Sequence, residues 1–189
     1  MPIEPGTPPV LDPLLRYWQE KRGDLPLPRR GDIDPVEMGA PLLPNLLLTD
    51  LLDRGTRVRF RLVGTNVVRR IGFDPTGRYL DAVMSGGWGE FLGLLHRLLY
   101  AERAPIRAES ELTWGQGHSM RLEHLLLPLT QDGSDPAIAL VGLQVATREP
   151  FPPALGAVAK NSSHTELNRV VLKSLPKLKP RGAGGRDVA

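Results

Sequence analysis

Cysteine is absent from all 189 residues, which excludes disulfides, thiolate nucleophiles, cysteine-ligated metals and thiol redox switching. The absence fits a reducing compartment, and a cytoplasmic chain is expected. No stretch approaches the roughly 18 consecutive apolar residues that a membrane-spanning helix requires. The opening Met1-Pro2-Ile3-Glu4-Pro5 has neither the basic segment nor the apolar run of a secretory signal, so a soluble chain without membrane insertion is expected. Catalytic signatures are missing too. There is no Gly-x-x-x-x-Gly-Lys loop and no His-Glu-x-x-His helix, and Met84-Ser85-Gly86 lacks the leading glycine of a nucleophile elbow, Val83 standing there instead. No nucleophile, base and orienting group can be assembled, and the chain reads as non-enzymatic. Aromatic residues are few, at 5%, and Phe60, Tyr79, Trp88, Phe91 and Trp114 are most of those outside the termini.

What is present suits one core with two extensions, since 189 residues do not comfortably hold two full cores. The 41% hydrophobic and 24% charged content is that of a globular chain, while 19 prolines and 20 glycines are too many for a helical bundle. The net charge of +3 is unevenly placed. From Lys160 onward seven cations face two anions, a local +5 that leaves the first 159 residues at −2. The basicity belongs to a tail, and nucleic acid is not an expected partner of the folded part.

Along the chain, Asp12-Pro13 and Gly23 mark the two ends of a helix whose Leu11, Leu14, Leu15 and Trp18 form one stripe. Residues 1–23 are thus a tail and an amphipathic helix, and the proline-punctuated 24–44 is a connector. Leu46 to Leu51 and Arg57 to Val63 read as a hairpin. In its second strand Val58, Phe60 and Leu62 share one face, and Arg57, Arg59 and Arg61 form a solvated stripe on the other. Short helical pieces follow over Thr65 to Ile71 and Arg78 to Val83. Trp88 to Glu102 is a helix whose apolar residues, Phe91 and Leu95 among them, fill an arc of about 160°. Three strands, Ile106 to Trp114, Ser119 to Leu129 and Ala137 to Ala146, complete a domain over 45–149. The last two are apolar on both faces, as central strands are; the Arg57 strand and the strand with Arg107, Glu109 and Glu111 alternate cleanly, as edge strands do. Residues 150–189 form an extension, with a short amphipathic helix expected over Leu167 to Leu175 and a basic tail after it.

This element order carries Arg61-Leu62-Val63-Gly64-Thr65, Gly72-Phe73-Asp74-Pro75-Thr76-Gly77-Arg78, Leu127-Pro128-Leu129 before Asp132-Gly133, and Asp32-Ile33-Asp34-Pro35 ahead of the sheet. Over about residues 11–149 it resembles the single-domain PAS proteins of alphaproteobacteria. The resemblance implies an α+β fold: a five-stranded antiparallel sheet with helices on one face and the N-terminal helix on or beside the other. It also implies a sensory or regulatory module that takes a small ligand, or none, and signals through a partner protein, often as a dimer. Leu140-Val141-Gly142-Leu143-Gln144 is similar to the last strand of flavin-binding light sensors, where a glutamine faces the flavin. With no cysteine, adduct photochemistry is excluded, whereas non-covalent flavin binding is not.

Phe60, Tyr79, Trp88, Phe91, Leu95, His96, Trp114 and Gln144 are therefore the candidate walls of a ligand pocket. The resemblance places His96 where haem-binding members carry an axial histidine, but on the wheel it lies about 40° beyond the apolar arc and reads as a rim residue. The cofactor is left open, with neither haem nor flavin favoured. His118 and His124 share a strand face about 20 Å apart, too far for a common metal. Because the sheet face away from the long helix needs a cover, either the Leu11, Leu14, Leu15 and Trp18 stripe packs there or a second subunit does, and a homodimer with that stripe at its interface is expected. A second reading of function is a nucleic-acid or anionic-surface binder acting through the basic tail.

Overall fold

The computed structural model describes residues 10–114, 118–145 and 166–173. The first helix, α1 (Leu11–Arg22), buries Leu11, Leu14 and Trp18, which recur three and four residues apart, and it stops at Gly23. Its start differs from expectation. Val10 is the N-cap, and Asp12 lies within the first turn, where a carboxylate suits the helix dipole and accepts from Arg107 at 2.7 Å. Val10 is itself buried, so the tail ends before it. The connector holds only short pieces: helical turns at Arg30–Asp32 and Leu43–Asn45, and between them α2 (Pro35–Met38), capped where the Asp34 carboxylate accepts the Val36 N–H at 2.8 Å.

The hairpin is β1 (Leu46–Leu52) and β2 (Arg57–Val63). Helices α3 (Thr65–Ile71), α4 (Leu80–Val83) and α5 (Gly86–Glu102) follow, then β3 (Ile106–Trp114), β4 (His118–Thr130) and β5 (Pro136–Val145). The strands pair antiparallel in the order β2-β1-β5-β4-β3, and a sixth strand, β6 (Glu166–Lys173), extends the sheet beyond β3. Two expectations are corrected by β6. The described part of the segment expected as a helix over Leu167 to Leu175, as far as Lys173, is a strand, because β3 offers it a ladder and Val170-Val171 suits a pleated surface better than a short isolated helix. For the same reason β3, although its pattern alternates, is not an edge.

The free edge of β2 is blunted by the chain itself. Gly77 N–H donates to Phe60 C=O at 2.7 Å, and Phe60 N–H donates to Arg78 C=O at 2.9 Å. The arginine stripe is exposed, as its pattern suggests. Arg59 and Arg61 both reach the nearly buried Asp50 carboxylate of β1, at 2.7 and 3.0 Å.

Both faces of the central strands are covered within one chain. Leu46, Leu48, Leu125, Leu127, Leu129, Ile138 and Leu140 pack under α1 and the connector. Leu47, Leu51, Leu122, Leu126, Ala139 and Val141 pack under α3, α4 and α5. At the centre of β5, a Cβ on Gly142 would lie 2.8 Å from Leu14 Cδ2 and 3.0 Å from Leu11 Cδ2, so a larger residue there would make these leucine side chains shift. Trp18 donates its indole N–H to Pro128 C=O at 2.9 Å. The argument for a homodimer through this stripe accordingly loses its premise. Leu11, Leu14 and Trp18 are no more than 1% exposed in the single chain, and only Leu15 of the four is part-exposed.

Candidate functional site

On the other face, the sheet and the helices α3 and α5 leave a cavity of about 60 Å³. Strand alternation supplies the floor: Leu47 and Thr49 of β1, Phe60 of β2, Leu122, His124 and Leu126 of β4, and Val141 and Leu143 of β5. Helix periodicity supplies the roof: Val67, Arg70 and Ile71 fall on one face of α3, and Trp88, Leu92 and His96 follow at four-residue spacing along α5. The walls are almost wholly apolar, interrupted by Thr49, Arg70, Trp88, His96 and His124.

Two of these polar groups are buried imidazoles. His96 Nδ1 lies 2.7 Å from Leu92 C=O, and since a carbonyl only accepts, Nδ1 carries the proton. Nε2 is then the acceptor, and the Thr49 hydroxyl donates to it across 3.1 Å. His124 Nε2 shares a hydrogen bond of 2.8 Å with Ser110 Oγ, and its ring meets the edge of Phe91 at 5.6 Å. Burial, the largest cause in each case, pushes both pKa values down to about 4, with His96 adding to the effect on His124. Both rings are neutral at physiological pH. Burial likewise lowers the pKa of the Arg70 guanidinium. The Trp88 indole nitrogen is enclosed and finds no acceptor among the described residues.

Of the residues singled out from sequence, Phe60, Trp88 and His96 line the cavity. Phe91 and Leu95 are buried in the same core but stand back from it. His96 is not at the rim as the wheel suggests. The turn after β1 closes over that side of α5, and a Cβ on Gly55 would lie 2.9 Å from the His96 carbonyl. Tyr79 lies outside, its ring 3.8 Å below the Arg57 guanidinium beside β2. Gln144 faces the opposite way, because alternation along β5 turns it toward α1, where its Oε1 accepts the Val10 N–H at 2.9 Å. Trp114 ends β3, and its side chain lies outside the described residues. Thr49, Arg70 and His124 were not among the expected pocket walls, although a signal existed: each sits in phase with apolar neighbours, as Arg70 does between Val67 and Ile71 and His124 between Leu122 and Leu126.

Neither haem nor flavin fits this arrangement. Sites for ligands of that size run to about 300–1,000 Å³. Both nitrogens of His96 are already engaged within the chain. No group of three or more His, Asp or Glu among the described residues could hold a metal ion. A second hollow, a groove of about 270 Å³ beside the start of α5, carries Asp81 and Glu90 as well as Arg57 and Arg97.

A family model described as a PAS domain matches residues 7–144. The match takes in α1, the connector and the five strands β1 to β5, and it stops short of β6. Neither the search of curated proteins nor that of solved structures finds a match. No helix among the described residues is long and apolar enough to cross a membrane.

Proposed function

The chain belongs to the PAS domain family, a sensory and regulatory fold, and from that premise we propose that it is a non-enzymatic sensor whose signal is a small molecule held between the sheet and α5. The observation that carries this reading is the cavity itself: an apolar space in an otherwise packed core, with a buried indole N–H that lacks an acceptor among the described residues. Packed interiors rarely keep such space, and a buried donor without a partner is a standing cost of about 1–3 kcal/mol that a ligand or water would remove. The signal then leaves through a surface to a partner protein.

Two hydroxyl–imidazole pairs, Thr49 with His96 and Ser110 with His124, invite a hydrolytic reading. The non-enzymatic reading is supported by what orients His96. Its Nδ1 is held by a main-chain carbonyl, where a nucleophilic triad places a carboxylate to stabilise the imidazolium.

Thermal melts with a panel of small apolar and amphipathic molecules test the proposal. A ligand at a hundred times its Kd stabilises the fold by about 2.7 kcal/mol. Leu126→Phe, which fills the cavity, is expected to abolish that gain while still melting cooperatively. Equal gains in both proteins would place the binding elsewhere.

A further inference from the structure

Within the reading of the cavity as a ligand site, on which this inference rests, the groove beside the start of α5 bears on how far that site extends. We propose that cavity and groove are two halves of one site, parted by the Met84 side chain, and that its ligand is an uncharged amphipathic molecule: an aliphatic chain in the cavity, and in the groove a head group that both donates and accepts hydrogen bonds.

Three observations point there. Leu80 and Met84 line both hollows, so the two spaces back onto one wall. Of that wall, the Met84 side chain is the part able to move. Its backbone is pinned: the Met84 N–H donates to Leu80 C=O at 2.7 Å, and a Cβ on Gly89 would lie 2.6 Å from the Met84 carbonyl oxygen, so α5 sits directly on it. The side chain is buried, but it is unbranched and repacks readily. The third observation is a division of chemistry. Cavity walls are almost wholly apolar, whereas the groove carries Asp81, Glu90, Arg57 and Arg97. Arg57 is stacked on Tyr79, while Asp81, Glu90 and Arg97 make no hydrogen bond or ion pair among the described residues. Carboxylates accept and guanidinium groups donate, and with two of each the groove suits a head that does both and has no net charge, such as a primary amide. Size agrees. The cavity alone, at about 60 Å³, is far below the roughly 300 Å³ at which ligand sites begin, and the groove alone, at about 270 Å³, ends against Met84; joined, they reach that range.

The full chain, isotopically labelled in its backbone and methyl groups, is titrated with hexanamide and, separately, with xenon, which needs the cavity alone. Hexanamide is expected to move the Leu47, Leu126 and Met84 methyl resonances and the Gly93 amide together, saturably and with one Kd; xenon should move the cavity methyls without the Gly93 amide. Two variants separate the halves. A Cβ on Gly93 would meet only the far end of the Arg97 side chain, at 3.4 Å, so Gly93→Leu fills the groove from its own side. It should weaken hexanamide at least tenfold and leave xenon unchanged, which also shows that the fold is kept. Leu126→Phe should weaken both. If hexanamide moves only one set of resonances, or none, or if Gly93→Leu leaves its binding intact, the joined site is refuted, and the cavity reading stands provided that xenon moves the cavity methyls. If neither molecule moves them, both fail.

Discussion

His96 and His124 show how a residue's environment overrides its type. An exposed imidazole titrates near pH 6.5, whereas both of these are held neutral by burial down to about pH 4. As pH falls the unfolded chain therefore takes up protons first, so stability is full above pH 6.5 and declines through the window between 6.5 and 4. The expected loss between pH 7 and pH 5 is roughly 2 kcal/mol for each ring. Urea melts at the two pH values measure it, and His96→Gln should reduce the difference by about half. An unchanged difference in that variant would mean that His96 is not a buried neutral ring. Gly55 is the second test at this scale. Its φ of 79° and the 2.9 Å that separates a Cβ from the His96 carbonyl make Gly55→Ala costly, by about 1–3 kcal/mol in the same melts.

Elements were legible wherever the pattern was local. The strict alternation of Val58 and Phe60 against Arg57 and Arg59, and the wide apolar arc of α5, each identify their element without help from the rest of the fold. Two features depended on partners that no window reveals. Asp12 is drawn into α1 as the partner of Arg107, 95 residues away, and β6 is a strand because β3 supplies its ladder. The site was half legible for a related reason. Phe60, Trp88 and His96 stand out as ring-bearing residues, while Arg70 and His124 are brought to one space only by the packing of α3 and α5 on the sheet. Trp18 tests the covering role of α1. Trp18→Ala removes a fully buried indole and its bond to Pro128 C=O, and is expected to cost about 3–5 kcal/mol. Sedimentation should be unaltered, because the stripe is buried in its own chain. A variant that melts like the parent would contradict that packing.

At the scale of the whole molecule, one sheet separates two cores that are packed differently. The face under α1 is packed, with Leu11 and Leu14 closing directly over Gly142. The face under α5 keeps a small apolar space with polar groups on its walls. The proposed function uses this asymmetry: a rigid side to hold the fold, and a side with room for a molecule to enter. β6 adds a test of how far the domain extends beyond the family match. Deleting residues 166–173 would strip β3 of its ladder, and is expected to lower the melting temperature by several degrees and to promote association through the exposed edge. The claim that the cavity is where the molecule reads its signal is tested most directly by native mass spectrometry of the freshly purified, folded chain beside its Leu126→Phe variant. The account predicts a second species in the parent, heavier by one small molecule and missing from the variant; the same adduct in both proteins, or a parent that adds no mass even under saturating small carboxylates and alcohols, would contradict it.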